Sequence, residues 1–383
     1  MGFIYSASVS VMIVLRGQIW KIIESVSSTV SPRALTHDEM KTVEDDTWIS
    51  RAWTYQEIIN SRAAFFTTLQ SDAEGHVIPA EKFFNCVGFS IDQWKKKTGQ
   101  GHNSILEVFP NLNTLEDTLA DVQMRDYLDR SALAVLSNIS LRKFDPDYPQ
   151  NMLLACMGAL TKDVSWGPPS TTLAELAETL MTICEKKEDY SFIYTRDVRS
   201  YVPGMRWRPS PSQLESKGPV HLVPVANWYT SGDQKGQKDP RGVSLNRMVR
   251  LHPAETMSGD AEYSIRKYVY GLKDPIEPDR ITGGIFRYKE GEKEELDHTL
   301  LRFLKMIGWN GDCEPRICES GLFFSQLSLG ERDEVEMYAA ADIGWVFGSP
   351  GLVRWIVDGE FHYSAGVFIG LVAKEDAKLL LLN

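Results

Sequence analysis

The chain has 383 residues, of which 43% are hydrophobic and 24% charged, so intrinsic disorder is excluded as the default and two or three domains are expected. Its net charge of -11 excludes a nucleic-acid surface over the whole molecule, because such binding requires Lys and Arg to neutralise phosphates. The five cysteines are few and odd in number, which favours a reducing compartment, and we expect a cytoplasmic protein. Neither they nor the seven scattered histidines have metal-ligand spacing, so no metal site is expected.

The first ordered element is predicted to be a strand over Val9–Leu15. The apolar run Phe3–Leu15 has no basic flank and no cleavage site, and serines interrupt it before it is long enough to span a membrane. Because the second half of the strand is continuously apolar, we expect it to be buried on both faces, as in a parallel sheet. Such a strand needs neighbours on both sides, so more of this domain is expected upstream.

The next stretches, Trp20–Ser31 and Arg33–Asp46, are mixed and polar, and are predicted to be an insertion into the fold or an excursion from it. Acceptor side chains at Asp45, Asp46 and Thr47 are typical of a helix N-terminus.

A helix is predicted to begin near Trp48 or Ser50 and to continue to about Asn60, because apolar residues recur there at helical spacing. Arg62–Leu69 has the aromatic and β-branched content of a strand. Strand, helix and strand form a βαβ unit, so this first part, residues 1–70, is predicted to be α/β with a parallel sheet.

Residues 80–190 are predicted to form a helical region, and residues 191–383 an α+β region. The predicted helices of the middle region are 80–86, 103–107, 115–141, 151–161 and 172–187. In the last region, turn-forming clusters separate predicted strands at 220–229, 243–251, 264–272, 283–288 and 366–373, and helices are predicted at 296–307 and 334–342.

The most distinctive segment is Trp48-Ile49-Ser50-Arg51-Ala52-Trp53-Thr54-Tyr55-Gln56-Glu57. It resembles the last motif of the fungal heterokaryon-incompatibility (HET) domain, in which a further Trp precedes an Arg-x-Trp-Thr-x-Gln-Glu core. The upstream segment Gly2–Val14 resembles the family's Ile-Tyr-x-x-Ala step into a strand. Later phrases are similar to segments that follow the HET domain in mushroom-type proteins: Tyr190–Thr195, Pro203–Pro211 and Gly321–Phe324.

The resemblance implies a protein of fungal non-self recognition and programmed cell death, acting as an effector or interaction module. Its partner would be another protein or a second copy of the chain, with no nucleic acid and no membrane span. The Ser-Tyr-x-Trp-Gly opening and the Cys-Ile-x-Gln segment of HET domains do not occur here, so the domain is expected to be truncated at its N-terminus or degenerate.

HET domains are thought to be similar to Toll/interleukin-receptor (TIR) folds, some of which cleave NAD with a helix-borne glutamate four residues after a tryptophan. Glu57 stands four residues after Trp53, on the same helical face, and is the candidate catalytic residue. A carboxylate suits this reaction because cleavage at the nicotinamide ribose develops oxocarbenium character. NAD is thereby implied as a substrate of an intact domain, with Arg51, Trp53 and Gln56 as motif or binding residues.

The alternative interpretation is structural. Trp48 and Trp53 are then core aromatics, while Arg51 and Glu57 are surface charges or an ion pair, because paired carboxylates are commonly structural. Since the first strand of an NAD site does not occur in this sequence, we expect no catalysis by this chain. The motif Arg206-Trp207-Arg208-Pro209 has two similar alternatives, an anion site or Trp–Arg packing.

Overall fold

The computed structural model describes residues 7–69, 77–98, 103–122, 129–143, 149–162, 172–210, 222–227, 230–270, 296–330, 332, 334–345 and 347–383. The chain divides into two compact units: Met1–Asp129 with Asn138–Ser170, and Arg130–Ser137 with Thr171–Asn383. These units group the residues differently from the predicted segments 1–70, 80–190 and 191–383, and that division stays a prediction.

The first unit combines a small mixed sheet with helices. Its elements are β1 (Val11–Leu15), α1 (Trp20–Ser27), α2 (His37–Glu44), α3 (Thr47–Ser50), α4 (Ala52–Ile59), β2 (Ala64–Thr68), β3 (Ile78–Pro79), α5 (Ala80–Thr98), α6 (Asn103–Val108), α7 (Pro110–Val122) and α9 (Gln150–Leu160). Helix α8 (Ala132–Ser140) spans the division between the two groups of residues.

The sheet of the first unit has the strand order β1-β2-β3. Strand β1 pairs with β2 in parallel, with Ile13 opposite Phe66, and β2 pairs with β3 in antiparallel. The crossover from β1 to β2 passes through helices, so the predicted βαβ unit is confirmed. Within the described sheet, β1 is a terminal strand.

The prediction that β1 is buried on both faces is wrong. Ile13 and Leu15 are 2% and 0% exposed, whereas Met12 and Val14 are 51% and 38% exposed. The core of the unit is gathered on the face that carries Ile13 and Leu15. The strand therefore has one buried and one exposed face, as alternating side-chain directions produce when a single face is covered.

The predicted excursion between Trp20 and Asp46 is also wrong. Helices α1 and α2 each carry an apolar stripe, and Ile22, Ile23, Met40 and Val43 belong to the main core. Exposed polar residues such as Lys21, Glu24 and Lys41 lie on the outer faces of these short amphipathic helices, whereas the carboxylate of Glu44 is buried and accepts the N–H groups of Asn111 and Leu112.

The second unit is an antiparallel sheet with a few helices. Its elements are α10 (Leu173–Lys186), β4 (Gly236–Asp239), β5 (Gly242–Leu251), α11 (Gly259–Tyr270), α12 (Leu296–Met306), β6 (Arg316–Cys318), β7 (Gly321–Ser325), β8 (Val335–Ala340), β9 (Ser349–Val357), β10 (Glu360–Gly370) and β11 (Lys378–Leu382). The order of the eight-stranded sheet is β11-β5-β8-β9-β10-β7-β6, and β4 pairs with β5. The predicted fold class, in which an α/β part is followed by a helical block and an α+β region, is thus confirmed.

Several local predictions in the second unit are wrong. Residues 334–342, predicted as a helix, contain strand β8, and residues 264–272, predicted as a strand, overlap helix α11. Within 220–229, the described residues 222–227 form only an isolated bridge, from Pro224 to Thr195. The predicted strand 283–288 lies outside the described residues.

None of the helices in the described part of the chain combines the length and hydropathy needed to cross a membrane.

Candidate functional site

The segment Trp48–Glu57 forms two short helices with a break between them. Helix α3 ends at Ser50, Arg51 is extended with φ -82° and ψ 142°, and α4 begins at Ala52. The bend at Arg51 is held from outside, because Lys143 donates its N–H to Ser50 O at 2.6 Å and accepts the N–H of Ala52 at 3.0 Å. The single helix predicted to begin near Trp48 or Ser50 is therefore two helices, and Arg51, the first residue of the core motif, separates them.

Asp46 fixes the start of this segment. Its Oδ1 accepts the N–H of Trp48 at 2.7 Å and caps α3, as the acidic residues before Trp48 predicted. Its Oδ2 accepts the N–H of Arg16 at 2.8 Å, immediately after β1. One buried carboxylate thus connects the end of the first strand to the beginning of the motif.

Trp48, the tryptophan that precedes the core motif, donates a hydrogen bond to the candidate catalytic residue. Its indole Nε1 donates a hydrogen bond of 2.7 Å to Glu57 Oε2, and its ring meets Phe66 edge-on at a centroid distance of 5.3 Å. Trp53 and Glu57 are both half-buried. Trp48, which packs on strand β2 through Phe66, therefore orients the Glu57 carboxylate.

Gln56 attaches helix α4 to helix α9. Its Nε2 donates to the carbonyl oxygens of Leu154 and Ala155, at 3.1 and 2.8 Å, and the side chain is 0% exposed. One turn later, Asn60 Nδ2 donates to Gly158 O at 2.8 Å. These are two amide side chains on one helix face that bind backbone carbonyls of the facing helix.

Gly158 permits this close approach. A Cβ atom at this position would lie 2.4 Å from Gln56 Oε1, a distance that side-chain carbons do not occupy. The absence of a side chain is thus what lets the two helix backbones come close enough for both hydrogen bonds.

The motif threonine binds a buried arginine. Arg142, 3% exposed, donates from Nη1 to Thr54 Oγ1 at 2.9 Å and to Ile49 O at 3.1 Å. Its Nη2 donates to Thr118 Oγ1 at 2.6 Å, and its guanidinium lies 5.7 Å from the ring centroid of Tyr55. Sequence reasoning missed this role, since Arg142 stands in a helical stretch as one charge among apolar residues.

Arg51 is the exception among the motif residues, because its side chain is exposed and the motif uses its backbone as the N-terminal cap position of α4. The segment thus contributes one half-buried carboxylate and a set of polar groups bound inside the unit. Among the described residues, no group of three or more side chains is placed to hold a metal ion.

The later sequence phrases occupy structural positions in the second unit. Asp189 Oδ2 accepts the N–H of Ala132 at 2.5 Å, and Ser191 Oγ accepts that of Leu133 at 3.0 Å, so both cap helix α8. Burial raises the pKa of Asp189 and that of Tyr194, whose hydroxyl bonds Gln234 at 2.8 Å. The chain from Asp189 to Tyr194 is therefore a buried connector.

The motif around Trp207 combines packing with ion pairs. The Trp207 ring packs edge-on against Tyr190 at 5.8 Å. Arg208 donates to Glu178 and Glu185 of α10, each at 2.6 Å. Two acidic side chains thus already occupy the guanidinium that had been a candidate anion site. The third phrase, Gly321–Phe324, lies in strand β7, where every residue is buried.

No family model, no curated protein and no solved structure matches this chain. The likeness to HET domains consequently rests on the quoted motifs.

Proposed function

We propose that this chain is a HET-family protein that acts in fungal non-self recognition and associated cell death, as a cytoplasmic effector or interaction module. The observation that carries the proposal is the position of the segment Trp48–Glu57, which lies in the crossover between two parallel strands and precedes the second of them. The resemblance implies this order of elements. The bonds of Thr54 and Gln56 inside the unit support a role for the motif in assembling the module.

The exposed face of β1 supports an interaction role. Met12 and Val14, on that face, are 51% and 38% exposed, and Val9, two residues before the strand, is 84% exposed. Neighbouring exposed apolar side chains on one strand can contact another protein, and β1, which is terminal within the described part of the sheet, has an edge to which no described strand pairs. Both a protein partner and self-association fit this surface.

A second candidate function is NAD cleavage by an intact domain through Glu57. The hydrogen bond from the Trp48 indole supports this function, because it fixes the orientation of the Glu57 carboxylate. A carboxylate that acts as a nucleophile or as an electrostatic stabiliser requires a fixed orientation. The same hydrogen bond equally fits a structural role. A substitution that preserves the bond and removes the charge separates the two functions.

The test is expression of the chain and its variants in a fungal host, with viability and cellular NAD followed together. Wild type, Glu57→Gln and the exposed control Lys143→Ala should all cause cell death at constant NAD. The double substitution Met12→Ser and Val14→Thr should abolish death while the purified variant keeps its fold. Gln can still accept the Trp48 bond, so loss of death and of NAD consumption in Glu57→Gln would replace the first proposal with the second. Unchanged growth on wild-type expression would overturn both.

A further inference from the structure

Arg206 connects an exposed turn to the long hairpin of the second unit. Its Nη1 lies 2.7 Å from His362 Nε2, and its Nη2 contacts the carboxylate of Glu360 at the start of β10. An arginine can only donate, so His362 accepts through Nε2 and carries its single proton on Nδ1. The contact therefore exists only with a neutral imidazole.

The surroundings of His362 also disfavour its protonation. Its ring stacks on Trp355 with centroids 6.0 Å apart, and Arg332 lies over the same indole at 5.1 Å. Burial and the Arg206 charge hold the pKa of His362 below its usual value of 6.5, with Arg332 acting in the same direction and Asp358 against it. Glu360, which binds Arg206, is a further acidic residue beside this contact.

Local hydrogen bonds give the turn 200–206 its shape: Met205 donates its N–H to Val202 O at 3.0 Å, and Trp207 Nε1 donates to Gly204 O at 3.2 Å. Ser200 donates its N–H to Arg208 O at 2.8 Å, closing the base. The tip exposes large apolar side chains: Tyr201 is 65% exposed, Val202 56% and Met205 39%. Arg206 connects this turn to β10 through His362 and Glu360.

We propose that Arg206 and His362 form a pH-sensitive latch, in which neutral His362 holds the turn 200–206 against β10 and protonated His362 releases it. A proton from solvent binds Nε2 and occupies the lone pair that accepts the Arg206 bond. Two adjacent cations then share Glu360, so Arg206 loses one of its two contacts with β10. This inference is independent of the proposed function.

The test compares amide hydrogen exchange of residues 200–206 at about pH 7.5 and about pH 5, after correction for intrinsic exchange rates. Exchange in the wild type should be several-fold faster at the lower pH, because a histidine whose pKa is lowered by burial and by the contact binds a proton more readily once the turn is released. His362→Gln should exchange slowly at both values, because its amide oxygen accepts the bond and does not titrate. His252→Gln, at an exposed histidine of the same unit, is the matched control and should behave as wild type.

A second variant keeps the test decisive if His362→Gln disturbs folding. Arg206→Met should exchange rapidly at both pH values, and the NMR titration of its His362 should move up towards 6.5. A pH-independent wild type, a His362→Gln variant that responds like wild type, or a His362 that titrates at or above 6.5 in the wild type would overturn the latch.

Discussion

The indole of Trp48 donates a 2.7 Å hydrogen bond to the carboxylate of Glu57, joining two motif residues that lie on successive short helices separated by a bend at Arg51. The bond holds the two short helices of the motif against each other. It also accounts for a tryptophan that stands before the core motif rather than within it.

Trp48→Phe removes this donor and keeps most of the aromatic packing on Phe66. We expect a loss of about 1–3 kcal/mol in the free energy of unfolding, because a half-buried carboxylate loses a charge-assisted bond. Glu57→Gln keeps an acceptor and should cost less than Trp48→Phe. Urea denaturation measures both, and Arg51→Ala, at an exposed side chain, should change the free energy by no more than about 0.5 kcal/mol. Equal losses for Trp48→Phe and Arg51→Ala would contradict the role of the bond.

Gly158→Ala should destabilise the first unit by about 1–3 kcal/mol, because its Cβ would overlap Gln56 Oε1. The matched control is Gly88→Ala in α5, where the nearest atom to a Cβ is Glu116 Oε1 at 3.6 Å, an ordinary contact. That substitution should stabilise by about 0.5–1 kcal/mol, since alanine is the better helix former.

The two glycine variants are compared by thermal and urea unfolding. The double variant Gly158→Ala with Gln56→Ala should lose less than the sum of the single variants, because both remove the same interhelical contact. Additive losses would show that Gly158 and Gln56 act independently.

Arg142→Lys should cost about 3 kcal/mol or more, although it keeps the charge. A lysine ammonium cannot reproduce the planar set of donors that binds Thr54, Ile49 and Thr118. It would also leave buried acceptors without donors. The neighbouring Lys143, with an exposed side chain, supplies the control Lys143→Ala. Similar unfolding midpoints for the two variants would contradict the central role of Arg142.

The capping box of α2 should make stability depend on pH. Thr36 Oγ1 accepts the N–H of Glu39, and the Glu39 carboxylate accepts the N–H of Thr36. Arg33 donates to both carboxylate oxygens of Glu39, at 2.7 and 3.0 Å. The Arg33 hydrogen bonds are the main cause that lowers the pKa of Glu39 from 4.5. The unfolded chain therefore binds a proton more readily than the folded one. The stabilisation is complete above 4.5 and is lost as pH falls through the lowered folded pKa.

Urea unfolding at about pH 6 and about pH 3.5 measures this dependence. Glu39→Gln should lose stability at the higher pH and show a smaller difference between the two conditions than wild type. Glu107→Gln, at an exposed glutamate, should retain the wild-type difference. An unchanged pH dependence in Glu39→Gln would assign it to other groups.

Two opposite errors in the second unit have physical causes. Residues 335–340 contain good helix formers, yet they form β8 because β5 and β9 pair with its two sides and tertiary contacts override weak propensities. Helix α11 has β-branched and aromatic residues, but its buried Ala261, Ile265 and Val269 recur every four residues, and Ser258 Oγ caps it. The helical spacing and the capping serine are visible in the sequence, but the β-branched and aromatic residues of this segment favoured the prediction of a strand.

The sequence by itself determined the succession of an α/β part, a helical block and an α+β region, because hydrophobic periodicity and capping residues are local signals. It also singled out the Trp48–Glu57 segment. Only the tertiary structure decided what that segment binds. The carbonyl oxygens that Gln56 binds lie about a hundred residues away, and Arg142, which donates to Thr54, lies nearly as far.

The burial of strand β1 was likewise decided by the tertiary structure. Its apolar run is local information, but which of its faces is covered depends on where the crossover helices pack. Burial and long-range hydrogen bonds are properties of pairs of distant residues, so a single sequence specifies which groups are available and the fold decides which of them meet.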